Sequence, residues 1–597
     1  MSDQTRSGSS ILHETPVSMP QQDEVWGSDA MAACLRALDV PYLALNPGAS
    51  YRGLHDSLVN YLGNTRPQML LALHEESAVA IAHGFAKASD RMMGAVLHSN
   101  VGLMHGTMAI FNAWCDRAPL LLLGATGPWD ASKRRPWIDW IHTVSDQGAL
   151  IRDYTKWDNQ PASVASAYEA LVRAVQIANT APRGPVYVNL DAALQEAKIG
   201  PLPSVPDVAR HRAPQSPEPP ADLVREAARL LSGARRPVML VGRGRRGEPA
   251  WRARVALAEK LGATVFTDLK QAATFPTDHP LHGGPPATFP VASTLDVLRE
   301  ADVILSLDWI DLAGTLRGAF DDGRATARVI HVSCDMHVHR GWSADYFGLP
   351  VVDHHLLCEP DVAVPLLLDA VSSRKADGAP RAPYQEAQPH GAAGDVLTLR
   401  ALAGAFNEAT RGLPITLTRV PLGWHGSYRH FRHPLDFLGG DGGGGVGAGP
   451  GVIVGASLAL KGSGRIPVSL MGDGDYLMSV TALWTATHYR LPLLVVVCNN
   501  RAFYNDELHQ ERVARARARP VDNKWIGQRM NDPDIDLAML ARAQGAEGIG
   551  PITHVGDIGP AIAKGLALVR EGAACVIDAR VAPGYDAEMS GAAQRKG

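Results

Sequence analysis

The sequence predicts an α/β protein built from three parallel-sheet domains. Short apolar runs alternate with segments of helical periodicity along most of the chain, which is the pattern of strands pairing in parallel under a cover of helices. Two stretches interrupt that alternation and read as linkers: 201–221, Pro-rich, stiff and polar, and 374–395, rich in Pro, Ala and Gly. The third observation is length: 597 residues exceed what one core organises, since single cores stop growing near roughly 250–300 residues.

Residues 1–22 are polar and Ser/Gln-rich and read as a loose tail. The first domain, 23–200, contains strand-like Tyr42–Leu45, helical Glu75–Ser89, strand-like Gly94–Leu97, helical Met104–Cys115 and strand-like Pro119–Leu123. The second, 221–373, has strand candidates at Pro237–Val241, Thr264–Phe266, Val303–Leu307 and Val329–Val332. The third spans 396–582, and the residues beyond it read as another tail.

Composition narrows the class. With 46% hydrophobic and 20% charged residues, the chain fits a soluble globular protein. A formal net charge of −4 gives no electrostatic case for nucleic acid or an anionic membrane as partner. The six cysteines are scattered without a CxxC pair, which argues against a disulfide scaffold or zinc site and fits a reducing compartment. The N-terminus lacks a basic-then-apolar pattern, and the longest apolar runs fall far short of a membrane span. A cytoplasmic location is the expectation.

Chemistry concentrates in Val468–Asn500. An apolar run enters Gly472-Asp473-Gly474-Asp475, a helical segment follows, and a second apolar run enters Asn499-Asn500. Strand, turn, helix and strand put the polar residues at the C-terminal strand edge, where parallel sheets bind ligands. Asp473 and Asn500 offer the hard oxygens that Mg²⁺ takes, and the glycines allow backbone to approach a diphosphate. An ordinary βαβ unit with a glycine turn would read the same way.

Two polar clusters interrupt the first domain. His74-Glu75-Glu76 stands where a strand ends and a helix begins, and His98-Ser99-Asn100 follows the next strand, with His105 one turn or so on. Glu76 reads as a helix-dipole partner, and a lone histidine at a strand end is more often a hydrogen-bonded structural group than a catalyst. In the second domain, Gly242–Gly247 fits the dinucleotide-turn spacing, with Asp268 further on, a weak signal by itself. Arg501–Pro520 holds Tyr504, Asn505, Glu507 and His509 and then four arginines, a candidate lid whose arginines read as a solvated face. The His425–His433 group has no metal-ligand spacing and reads as surface or interface.

These residues together resemble the thiamine-diphosphate-dependent decarboxylases and carboligases of the acetolactate synthase and benzoylformate decarboxylase group. Gly472-Asp473-Gly474 through Asn499-Asn500 matches that family's diphosphate and magnesium motif, and His74-Glu75 its cofactor-activating glutamate. Residues 98–120 and Ala482–Ala486 look closest to benzoylformate decarboxylase. The resemblance implies an N-terminal aminopyrimidine-binding domain, a Rossmann-like middle domain and a C-terminal diphosphate-binding domain. It implies thiamine diphosphate and Mg²⁺ as cofactors. FAD or ADP occupies the middle domain of some members and not of others, and is not the expectation here.

By the same resemblance, Asp473, Asn500 and the carbonyl of Ala502 would ligate Mg²⁺. Gly472, Gly474 and Asp475 would contact the diphosphate, and Val446 would bend the cofactor. Glu75 would activate it, and His98 is the candidate proton relay, since histidine titrates near neutrality. Ala49, Ser50, His105 and Tyr504 are candidate substrate contacts. A complete site would form between two subunits of a homodimer or homotetramer. The substrate would be a small 2-oxo acid, aldehyde or ketone, whose cleavage needs an electron sink that the thiazolium supplies.

Two departures leave the substrate open. Benzoylformate decarboxylase has a serine directly after Asn-Pro-Gly, whereas this chain has Ala49 there and Ser50 one place later. Ser306–Leu316 lacks the histidine which that enzyme contributes from its middle domain. The alternatives are a 2-hydroxy-ketone lyase that does not decarboxylate and, from another class, a dinucleotide-dependent oxidoreductase using Gly242–Gly247.

Overall fold

The computed structural model describes residues 14–18, 24–320, 324–334, 348–373, 382–440 and 442–584. The expected tails, 1–22 and beyond Ala582, lie largely outside the described residues, as does the start of the 374–395 stretch. Three parallel sheets form the frame, as the alternation predicts.

The first sheet runs, in spatial order, Gln68–Leu71, Tyr42–Leu45, Met93–Leu97, Leu120–Thr126, Val186–Asp191 and Asp158–Asn159. Every neighbouring pair is parallel. Successive crossovers diverge from the gap between Tyr42–Leu45 and Met93–Leu97, which makes that gap the topological switch point where a crevice opens. The second sheet runs Thr264–Phe266, Pro237–Val241, Val303–Leu307, Arg328–Val332 and His354–Leu356, and the third runs Ile415–Arg419, Ile466–Gly472, Leu493–Asn499, Ala574–Arg580 and Glu547–Ile552.

Central strands such as Leu493–Asn499 and Leu120–Thr126 are buried along their whole length, because helices cover both faces. Their sequences are accordingly continuous apolar runs. Two elements differ from the periodicity. The helix expected at Met104–Cys115 starts earlier, at Ser99. The helical segment after Gly474 is broken into Asp473–Met478 and Ala482–His488, with Ser479 leaving helical geometry between them (φ −139°, ψ 30°). Ser, Val and Thr in succession at 479–481 supply poor helix formers at the break.

The first and third domains share one core. Helices Glu75–Ser89 and Gly449–Leu460 are buried almost throughout and lie directly against each other. A Cβ on Gly84 would sit 2.0 Å from the Val452 carbonyl oxygen, and one on Gly455 would sit 1.9 Å from that of Ile81. Such backbone-on-backbone contact admits no side chain. His430, within the His425–His433 group, is buried between domains, its ring nitrogens on the Tyr384 carbonyl at 2.8 Å and the Thr277 hydroxyl at 3.2 Å. It serves as interface, and the arginines from Arg512 to Arg519 are exposed on or beyond helix Tyr504–Ala516.

The helix contact generates a test. Gly455→Ala drives a methyl into the Ile81 carbonyl and is expected to cost about 1–3 kcal/mol, read as a lower denaturation midpoint. Gly233→Ala, at the end of helix Ala221–Gly233 with nothing beyond its chain neighbours and its own helix backbone within 4 Å of the new methyl, is expected to be neutral or stabilising.

Candidate active site

Strands Ile466–Gly472 and Leu493–Asn499 are adjacent, with Gly472 opposite Cys498. Their ends therefore deliver Asp473 and Asn500 to the same edge. The Asp473 carboxylate is almost wholly buried and accepts from the Gly474 N–H at 2.9 Å and the Ala502 N–H at 3.3 Å. Burial raises its pKa above the ordinary value, against those backbone N–H groups and that of Arg501. Asn500 Oδ1 accepts from the Ala502 N–H at 3.0 Å. Its neighbour Asn499 points the other way and donates to Asp578 at 2.8 Å, tying two strands together. The paired asparagines thus divide between site and scaffold.

Gly472, Asp473, Gly474, Asp475, Asn500, Ala502, Tyr504 and Val446 all line one cavity of roughly 960 Å³ between the third and middle domains. A buried carboxylate, an amide and main-chain oxygen on one wall form the hard donor set that suits Mg²⁺. The Cys498 thiol, also lining it, is pushed up to about 12 by burial. The glycine ribbon 442–447 supplies backbone without side chains beside Val446, as a closely approached diphosphate-bearing cofactor requires. These residues fit thiamine diphosphate with Mg²⁺.

Asp475 has a more specific task than its position in the motif indicates. Its Oδ1 accepts the Gly447 N–H at 2.6 Å and the Gly449 N–H at 3.3 Å, while Oδ2 pairs with Arg419 Nε at 3.0 Å. It braces the ribbon that carries Val446. Arg419 escaped the sequence reading, although its place at the end of strand Ile415–Arg419 was a usable signal.

The second group gathers at the switch point of the first sheet. Glu75 opens its helix and is buried, with His74 Nδ1 capping the Glu76 N–H at 3.2 Å. His105 Nδ1 lies 3.1 Å from Glu75 Oε2, and its ring stacks on His74 at 5.0 Å between centroids. His98 Nδ1 meets the Ser50 hydroxyl at 2.8 Å. The Ser50 hydroxyl, one place later than in benzoylformate decarboxylase, is therefore the one beside the histidine, and Ala49 lines a separate surface depression with Arg52 and His55. Gly48 packs so closely on His98 that a Cβ would lie 2.3 Å from its ring.

His142 is a further member that sequence reasoning missed. Its ring packs edge-on against His98 at 4.7 Å, and its carbonyl accepts from Ser99 Oγ at 2.7 Å. Ser99 is held at φ +52°, uncommon for a non-glycine residue. Burial first, then the neighbouring His142, lowers the His98 pKa against an opposing pull from Glu75. The imidazole is therefore neutral near pH 7. No signal in the sequence tied His142 to His98, because the two stand far apart along the chain.

Among the described residues, Glu75, His98, His105 and Ser50 are not part of that cavity's lining. Glu76 stands between the two groups, its Oε1 3.6 Å from the position of a Cβ on Gly447. In the middle domain, the Gly242–Gly247 turn is already engaged. Its Arg245 N–H donates to Asp361 at 2.8 Å and its Arg246 N–H to Asp90 at 2.7 Å.

Comparison with known proteins gives three family matches. Residues 25–150 match the thiamine pyrophosphate enzyme N-terminal TPP binding domain, 224–340 its central domain and 421–579 its C-terminal TPP binding domain. Benzoylformate decarboxylase of Pseudomonas aeruginosa is 28% identical over 447 residues, covering 73% of this chain and 79% of that protein. A probable acetolactate synthase large subunit of Methanocaldococcus jannaschii is 24% identical over 496 residues, 80% of each chain. The crystal structure of benzoylformate decarboxylase from Polynucleobacter necessarius shares the fold, with a TM-score of 0.79 at 22% identity, over 94% of this chain and 99% of that one.

A pH test follows from Glu76. Burial, then the Asp475 charge, raises its pKa, so the folded state holds the Glu76 proton more tightly than the unfolded chain does. Stability from this group is full below the ordinary carboxylate range and falls as pH rises through the elevated value. Glu76→Gln is expected to raise the melting temperature at pH 7. That gain should vanish below about pH 4, near the reference carboxylate pKa, in melts recorded across pH.

Proposed function

The chain belongs to the thiamine pyrophosphate enzyme family, and from that premise we propose that it breaks or forms a carbon–carbon bond beside a carbonyl, starting from a 2-oxo acid. The observation that carries this reading is the shared cavity: Asp473, Asn500, Ala502 and the ribbon bearing Val446 face one space. When bound, thiamine diphosphate supplies the electron sink for the bond that breaks. Asp473, Asn500 and the Ala502 carbonyl would hold Mg²⁺ and, through it, the diphosphate. Val446 would press the cofactor into its bent form.

Glu75 would share a proton with the pyrimidine ring nitrogen. Its burial and its position at a helix start keep the carboxylate away from water. His98, neutral and with Nδ1 committed to Ser50, presents Nε2 to take or return a proton at the substrate. Because Glu75 does not line its own chain's cavity, we place the complete site between two copies, in a homodimer or a homotetramer. The relatives named benzoylformate decarboxylase and acetolactate synthase support decarboxylation, with or without ligation to a second carbonyl. We assign no nucleotide to the middle domain, since Asp361 and Asp90 accept the turn's amides. All six cysteines lie among the described residues and none is in a disulfide, which supports the cytoplasm as its compartment.

Two experiments test this. After EDTA treatment, activity on a panel of 2-oxo acids, followed as CO₂ and aldehyde, should return only with both thiamine diphosphate and Mg²⁺. Glu75→Gln should stay at least about a hundredfold slower. Activity without the cofactor, or an unaffected variant, would defeat the reading, and acyloin cleavage without CO₂ would favour the lyase. Second, Glu75→Gln and Asp473→Asn chains, each inactive alone, should regain partial activity when co-expressed and purified as the mixed dimer. Failure of that mixture to recover would argue that each chain carries its own complete site.

A further inference from the structure

A buried charge cluster lies at the junction of the first and third domains, within electrostatic reach of Arg246 and Arg419. His83 and Lys87 come from helix Glu75–Ser89, and Asp116 follows helix Ser99–Cys115. Their side chains are 0%, 6% and 6% exposed. Asp116 Oδ2 is 2.9 Å from His83 Nε2 and 2.7 Å from Lys87 Nζ. Burial alone would raise the Asp116 pKa, but the Lys87 and His83 contacts hold the carboxyl well below the usual carboxylate range. Lys87 reaches one step further and donates to the carbonyl of Gly440.

Gly440 stands just ahead of the glycine ribbon. Residues 442–445 then run along helix Ser99–Cys115, resting on it about once per turn. A Cβ on Gly442 would meet Asp116 and Cys115 at 2.6 Å, one on Gly443 would meet Phe111 at 2.6 Å, and one on Gly445 would meet Met108 at 2.4 Å. The Gly443 N–H donates to buried Asn112 Oδ1 at 3.1 Å. Asp475 holds the far end through Gly447 and Gly449. Glycines bring no side chains of their own to fix such a ribbon, so its path is set by whatever grips its two ends and its edge.

We propose that Lys87, clamped by Asp116, is a positioning residue: it grips the leading end of the 442–447 ribbon and thereby fixes Val446 against the cofactor. The inference rests on the proposed function, because it takes Val446 as the bending residue. It adds that a lysine of the first domain, outside the residues assigned to the diphosphate, governs one half of cofactor binding. Asp473, Asn500 and Ala502, which would hold the diphosphate, are not among the hydrogen-bond partners of Lys87, which among the described residues are Asp116 and Gly440. Loss of the grip should therefore weaken the intact cofactor and spare its diphosphate.

The test compares two probes by calorimetry on full-length protein: thiamine diphosphate with Mg²⁺, and inorganic pyrophosphate with Mg²⁺. A lone Lys87→Met leaves a buried carboxylate without its ammonium, so Lys87→Met is combined with Asp116→Asn. Gly442→Ala, which pushes the ribbon off Asp116 with every charge intact, is the independent second variant. Both are expected to bind thiamine diphosphate about tenfold more weakly, as loss of a charge-assisted hydrogen bond allows. Pyrophosphate affinity should stay within about twofold of wild type. Equal loss of both probes would mark the cluster as general scaffold and overturn the inference, as would unchanged binding of both. Wild-type protein that fails to bind thiamine diphosphate would instead overturn the proposed function, and the inference with it.

Discussion

The contact between helices Glu75–Ser89 and Gly449–Leu460 is the constraint on which the rest depends. Two helices touching through glycines and carbonyls cannot rotate or slide without collision. That contact merges the cores of the first and third domains into one. One of the two helices begins at Glu75, so the element that presents the candidate activating carboxylate is fixed by that contact. Precision at the site is thus inherited from packing in the core.

Chemistry is distributed over sheet edges in a manner set by strand order. The switch point of the first sheet collects His98, Ser50 and Glu75, and the C-terminal edge of the third sheet collects Asp473 and Asn500. Burial then tunes each group. It raises the Asp473 pKa, which makes a divalent cation the natural partner of that carboxylate, and it lowers that of His98, which keeps the ring able to accept a proton. Asn499 and Asp475 show the complementary use of polar residues beside a site, as braces for strand and ribbon.

The frame was legible because strands and helices announce themselves locally. An unbroken apolar run such as Leu493–Cys498 needs no partner to be recognised, and the spacing from Asp473 to Asn500 is a property of one βαβ unit. What could not be read required knowledge of which distant segments meet. His142 touches His98, and Arg419 touches Asp475, only because the sheets bring their strand ends together. The glycine turn at 242–247 shows the same dependence. Its spacing suits a phosphate, and Asp361 and Asp90, from elsewhere in the chain, accept two of its amides. Local pattern gives capacity; the partner comes from topology.

Helix Ser99–Cys115 has 17 residues, about 25 Å at 1.5 Å per residue. Its first turns hold Gly102 and His105 against Glu75, and its last turns carry the ribbon beside the cavity. If Glu75 of one copy serves the cofactor of another, this helix would be a single rigid rod with one end in each of two catalytic centres. A shift imposed at either end would be transmitted along its axis, since an α-helix compresses very little. Occupancy of one centre and readiness of the other would then be mechanically joined quantities.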